Sequence, residues 1–129
     1  MIPDSHVDLV TGTSFAHVAT IGPDGEPQST PVWIDGDATT VKFSQTTGRQ
    51  KYENVQREPR VAMSMIDMVN PYRYLEIRGR VVDVADDTDN AFIDSMASKY
   101  MGKDSYPFHQ PGDHRVVVTV EPEHTTQMG

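Results

Sequence analysis

The sequence contains no cysteine, which excludes disulfides, thiolate metal sites, iron–sulfur clusters and a cysteine nucleophile. It has no run of about eighteen apolar residues, so no membrane span is expected. Met1-Ile2-Pro3-Asp4 lacks the basic start of a secretion signal, and the cytoplasm is the simplest compartment to expect. Cations are scarce as well. Eleven Lys and Arg stand against nineteen Asp and Glu for a formal charge of −8, and nonspecific contact with nucleic acid or anionic lipid needs clustered cations, so neither is an expected partner. The phosphate-loop pattern Gly-x-x-x-x-Gly-Lys-Ser/Thr, His-Glu-x-x-His and Gly-x-Ser-x-Gly are all missing. Five histidines share no zinc-ligand spacing beyond the loose pair His109 and His114, and no metal is expected. The carboxylates fall at turns and helix starts and mark no acid/base pair, so no catalytic residue is assigned.

What remains is organised. The 129 residues suit one domain over 1–129, and a mean hydropathy of −0.52 is offset by apolar residues set in runs. Residues 14–21 read as a strand that stops at Gly22-Pro23-Asp24-Gly25, and 27–35 as its hairpin return, with Pro31 placing the second strand at an edge or a bulge. Residues 39–45 complete a three-strand meander. A short surface helix over 49–57, anchored by Tyr52 and Val55, closes at Pro59. Strands follow at 60–67 and 72–85, the latter bent at Gly79, then a helix of about four turns on Phe92, Met96 and Tyr100, introduced by Asp86-Asp87-Thr88-Asp89. An aromatic loop spans 103–113, and the valine-rich strand 115–121 ends the pattern. Six strands joined mostly by tight turns predict a small antiparallel β-barrel, closed or nearly so, with helices outside it.

The acidic total hides a local excess. Between Lys42 and Arg80 there are eight cations and four acids. The richest point is Ser44-Gln45-Thr46-Thr47-Gly48 followed by Arg49-x-Lys51 at a helix start, where backbone N–H groups, hydroxyls, a guanidinium and an ammonium would converge as a phosphate requires. A solvated basic helix accounts for the same spacing.

Ala19-Thr20-Ile21 with Asp24-Gly25-x-Pro27, Ser29-Thr30-Pro31-Val32-Trp33, Ser44, and Gly48-Arg49-x-Lys51-x-x-Asn54-Val55-x-x-x-Pro59-Arg60-Val61 resemble the pyridoxamine-phosphate-oxidase-like split β-barrel flavoproteins. Tyr74-Leu75-Glu76-Ile77-Arg78-Gly79 and Arg115-Val116-Val117 carry the likeness over nearly the whole chain, which looks most similar to the actinobacterial flavin/deazaflavin oxidoreductases that use coenzyme F-420. The resemblance implies a mainly β fold, a six-stranded antiparallel split β-barrel with peripheral helices. It further implies a homodimer with cofactor sites at the subunit interface, and coenzyme F-420 as cofactor with FMN as the alternative. By the same likeness Ser44, Arg49 and Lys51 would hold the cofactor phosphate and Asn54 would support them, Gln28, Ser29, Thr30 and Pro31 would border the ring, and Gln45 and Thr46 beside Ser44 are counted among the cofactor-binding residues. The implied reaction is hydride transfer from reduced coenzyme F-420 to an unsaturated or quinone-like small molecule. An FMN-dependent oxidase or reductase, or a non-catalytic flavin or tetrapyrrole carrier, are the alternatives on the same barrel. Tyr72, Tyr106 and His109 are candidate proton donors or wall residues. Lys42, Arg57 or Arg73 could meet the polyglutamate tail of the cofactor.

Overall fold

Seven strands and three short helices make up the computed structural model, which describes residues 1–129. The strands are β1 (Ala16–Ile21), β2 (Pro27–Val32), β3 (Asp35–Gly36), β4 (Val41–Thr46), β5 (Arg60–Ile66), β6 (Tyr74–Asp86) and β7 (Arg115–Met128); the helices are α1 (Asp8–Thr11), α2 (Gln50–Arg57) and α3 (Ala91–Met101). All pairings are antiparallel, in the order β2-β1-β5-β6-β7-β4-β3. The two outermost strands, β2 and β3, are joined by only Trp33 and Ile34. The sheet must therefore curl until its edges meet at that link, and it stays split elsewhere.

Two expectations are corrected here. The strand count is seven, because the two-residue β3 pairs with β4 after the Trp33-Ile34 link. The meander also breaks: β1 and β2 form the hairpin, but β4 pairs with β7, Phe43 opposite Val118, and not with β2. The cause is apolar content. In β4 the inward side chains Val41, Phe43 and Gln45 are buried and meet Val116, Val118 and Val120, whereas in β2 nothing is fully buried. A strand with so little to bury belongs at an edge, where the missing N–H of Pro31 is also tolerated.

Alternation builds the rest of the core. Ala16 and Val18, Val61, Met63 and Met65, and Leu75 and Ile77 point inward from β1, β5 and β6 into one cluster. Burying each of the large side chains contributes about 1.5–3 kcal/mol. Strand β7 runs to Met128, seven residues past the expected end at Glu121, because a register shift at Arg78/Gly79 lets the ladder continue around Pro122. Gly79 is required at that bulge, since a Cβ there would lie 2.3 Å from the Glu121 carbonyl oxygen.

Both chain ends depart from the sequence reading. No element is expected before residue 14, yet Ile2, Leu9 and Val10 enter the core. The buried His6 donates from Nε2 to the Met128 carbonyl at 3.0 Å, and Arg73 bridges Asp8 and Asp67. The second helix is shorter than its spacing suggested: a 3-10 turn at Thr88–Asn90, with Asp89 and Asn90 in the left-handed region, precedes α3. Asp87 caps α3 across that turn, accepting from the amides of Phe92 and Ile93 at 2.8 and 2.9 Å.

Candidate functional site

Where β2 and β4 part, two adjoining cavities open, and Pro31 lines both. The first is a polar cradle of about 320 Å³. Strand β2 supplies Gln28 and Thr30, β1 supplies Thr20, β4 supplies Gln45, and the first turn of α2 with the residue before it supplies Arg49, Gln50 and Lys51. The second cavity, about 440 Å³, is aromatic: Phe15, Trp33, Tyr106 and Phe108 with Ile93 and Met96 of α3, and Ser44 and Arg115 on adjacent strands. No carboxylate lines either one.

Helix α2 is fixed over the cradle by Asn54, which is fully buried. Its amide nitrogen donates to Thr20 Oγ1 at 2.9 Å and Gln28 Oε1 at 2.8 Å, and its oxygen accepts from Gln50 Nε2 at 2.9 Å and Arg57 at 3.4 Å. With helix and strands so joined, Lys51 Nζ lands 2.7 Å from Thr30 Oγ1, donating to it, and 5.7 Å from the centre of the Phe43 ring. Lys51 has no acidic partner. Burial, reinforced by the charge of Arg49, lowers its pKa from 10.5 to about 8.

The aromatic cavity is held by α3. Tyr100 lies between Phe15 and Trp33, stacked on both at centroid distances of 5.7 and 5.2 Å. Its hydroxyl donates to the Ser14 carbonyl at 2.7 Å and accepts from the Ile34 amide at 3.1 Å. Asp94 accepts from the Tyr106 amide at 2.9 Å and so holds the 103–113 loop against the cavity, where Tyr106 meets Trp33 edge-on. Burial pushes the Tyr100 hydroxyl above its ordinary pKa, which keeps it a neutral donor.

Of the residues singled out from sequence, Gln28, Thr30, Pro31, Gln45, Arg49 and Lys51 line the cradle and Asn54 lies beneath it. Ser44 does not join them. Strand alternation sends it to the face opposite Gln45, into the aromatic cavity, where it accepts from Arg115 at 3.1 Å. Thr46 takes part through its carbonyl, which accepts from Gln45 Nε2 at 3.1 Å and the Arg49 amide at 3.3 Å. Ser29 is exposed beside Ala19 and lines neither cavity. Trp33 and Tyr106 are cavity walls, His109 meets Tyr106 edge-on and lines neither cavity, and Tyr72 is 82% exposed on the distant β5–β6 turn. Thr20, Gln50 and Arg115 were missed. For the first two the signal, a polar residue at an inward strand position and a glutamine four before Asn54, was present but not distinctive.

The local excess of cations is also smaller in space than along the chain. Arg60, Arg73, Arg78 and Arg80 are consumed by ion pairs with Glu58, Asp8 and Asp67, Glu76 and Glu123. The cations left without a carboxylate in that segment include the two at the cradle, Arg49 and Lys51.

The fold and site together define a split antiparallel β-barrel with an acid-free cationic cradle opening onto an aromatic cavity. The chain belongs to the pyridoxamine 5'-phosphate oxidase family, whose model matches residues 2–129. Among solved structures it is similar to an F-420 reductase, with 38% identity, 97% of this chain and 98% of that chain covered, and a TM-score of 0.86. The fold is shared with the conserved hypothetical protein Rv2991 from Mycobacterium tuberculosis (22% identity, 98% and 84% covered, TM-score 0.75) and with HupZ from Group A Streptococcus (16% identity, 99% and 94% covered, TM-score 0.71). No curated protein matches the sequence.

Proposed function

We propose that this chain is an oxidoreductase that passes hydride from reduced coenzyme F-420 to an unsaturated or quinone-like small molecule. The observation that carries the reading is the junction of the two cavities at Pro31: a place for one phosphate and a place for flat apolar rings lie end to end along β2. The 38% identity to an F-420 reductase supports the choice of cofactor. The fit is chemical too, because Lys51 and Arg49 present two cations, and Thr30 and Gln45 polar side chains, and no carboxylate lines the cradle.

When bound, the deazaflavin supplies hydride from its C5 position. The protein's own residues do the rest. Arg49 and Lys51 would hold the phosphate, Gln28, Thr30 and Pro31 of β2 would border the cofactor, and the stacked Phe15, Tyr100 and Trp33 with Tyr106 would exclude water from the acceptor's side. In this reading the chain works as a homodimer. Ile66, Met68, Val69, Tyr72 and Met128, all exposed and gathered around the β5–β6 turn and the end of β7, support a homodimer, and a monomeric mass in sedimentation equilibrium would overturn it.

Titration with coenzyme F-420 and with FMN, followed by quenching of cofactor fluorescence, tests the cofactor. Micromolar binding of the deazaflavin is expected; micromolar FMN binding with none of the deazaflavin would select an FMN enzyme instead. Oxidation of the reduced cofactor no faster than in free solution with every quinone and enone acceptor would leave a carrier.

Lys51 also sets a pH dependence. Its folded pKa, about 8, lies below the unfolded value of 10.5, so the unliganded fold gains stability as pH rises through that window. Phosphate binding has the opposite sign, since it needs the ammonium. Affinity should be full below pH 8 and fall by up to about tenfold per pH unit above it, until the higher pKa of the complex is reached. A flat affinity from pH 7 to pH 10 would remove Lys51 from the phosphate site.

A further inference from the structure

Arg115 is placed as no other residue in the protein. Four half-buried side chains carry a cation: Lys51, Arg73, Lys99 and Arg115. Arg73 and Lys99 pair with carboxylates, at 2.6 and 3.4 Å. Lys51 and Arg115 do not, and each lines one of the two adjoining cavities. Lys51 faces the cradle and is accounted for there. Arg115 faces the aromatic cavity, its guanidinium 4.7 Å from the centre of the Tyr106 ring and its Nη1 donating to Ser44 Oγ at 3.1 Å. Its Nε is the single buried side-chain nitrogen or oxygen in the protein that has no hydrogen-bond partner.

A guanidinium keeps its charge at any working pH and is paired, as a rule, when buried. Here one is held in a low-dielectric aromatic wall with only a ring face and a hydroxyl for company. Ring face and hydroxyl orient it without neutralising it. The remaining lining is apolar, and four of its members, Phe15, Trp33, Tyr106 and Phe108, present flat rings. A ligand that suits both features is a planar unsaturated ring system bearing one carboxylate.

We propose that the aromatic cavity selects an acceptor with a carboxylate on a flat conjugated body, received by the guanidinium of Arg115, with the Ser44 hydroxyl as a second donor. Naming this ligand the hydride acceptor rests on the oxidoreductase reading above; the anion site itself does not. Ser44, which the resemblance assigned to the cofactor phosphate, becomes part of the acceptor site, and the two cavities divide their work as one anion each.

Calorimetric titration of the cofactor-free protein with 2-naphthoate and with uncharged 2-naphthamide tests this without turnover. The carboxylate should bind at least about tenfold more tightly than the amide, the scale of a charge-assisted hydrogen bond. Arg115→Gln should erase the preference, and Ser44→Ala should reduce it by a smaller factor. Lys51→Ala should leave it intact. Equal affinity for the two probes, or a preference that survives in Arg115→Gln, would overturn the proposal. So would a preference that vanishes in Lys51→Ala and persists in Ser44→Ala, because the carboxylate would then be sitting in the cradle. Should Arg115→Gln fail to fold, Arg115→Lys serves: the charge remains but the forked geometry is lost, and the preference should shrink severalfold. Failure of coenzyme F-420 to bind would overturn the cofactor reading and leave these outcomes unchanged.

Discussion

Lys51→Ala should weaken the phosphate-bearing cofactor by about 1.5–3 kcal/mol, roughly 10- to 150-fold in Kd, while the thermal midpoint of the unliganded protein stays level or rises. The two halves of that expectation have one cause. Burial beside Arg49 holds the Lys51 ammonium well below its ordinary pKa, so at neutral pH the charge disfavours the empty fold. Its partner in the fold is a single hydroxyl, Thr30 Oγ1 at 2.7 Å. Removing the side chain therefore removes a cost from the empty protein and a contact from the complex. Arg49→Ala should lower affinity by a similar factor with little effect on stability, since Arg49 is exposed and makes no ion pair. Fluorescence titration for affinity and differential scanning calorimetry for the midpoint check both halves. Affinity unchanged in both variants would move the phosphate out of the cradle, and a midpoint several degrees lower in Lys51→Ala would mean that the lysine serves the fold.

The sequence was most informative where local chemistry decides the structure. Gly22-Pro23-Asp24-Gly25 forms the β1–β2 turn, alternation over Val61, Met63 and Met65 gives the inward face of β5, and Gly79 marks a bulge because its Cα must approach another backbone. It was least informative where the answer depends on residues far apart in the chain. Nothing in 39–45 says that Phe43 meets Val118, 75 residues away, and not the neighbouring hairpin. The same limit applies at the site. Arg49-x-Lys51 was legible because both residues belong to one turn, whereas the separation of Ser44 from Gln45 depends on which side of β4 faces the split. Arg115 entered the likeness only as the head of Arg115-Val116-Val117, with no role at the site. Only the assembled cavity shows that it lacks a carboxylate.

Asn54→Leu should lower stability by about 2–4 kcal/mol, a drop in the thermal midpoint of roughly 6–20 °C for a chain of this length. Leucine matches the shape of asparagine and none of its polarity. The native side chain makes four hydrogen bonds at a position with no solvent exposure, two as donor to Thr20 and Gln28 and two as acceptor from Gln50 and Arg57. Losing them leaves the buried Thr20 hydroxyl and the Gln28 carbonyl without their partner, and an unmet buried polar group costs more than the bond itself contributed. Asn54→Asp gives a graded control. Its two oxygens keep the contacts from Gln50 and Arg57, and the Thr20 hydroxyl and Gln28 amide can turn to donate, so the loss should be intermediate. Cofactor affinity should fall in Asn54→Leu as well, because Asn54 is what sets α2, and with it Lys51, against β2. The two substitutions on α2 thus separate along different axes: Lys51→Ala loses affinity at constant or higher stability, and Asn54→Leu loses both. An Asn54→Leu protein that melts with the wild type would show that α2 is held by Val55 and Tyr52 alone, and the polar bridge from helix to strands would have no part in shaping the cradle.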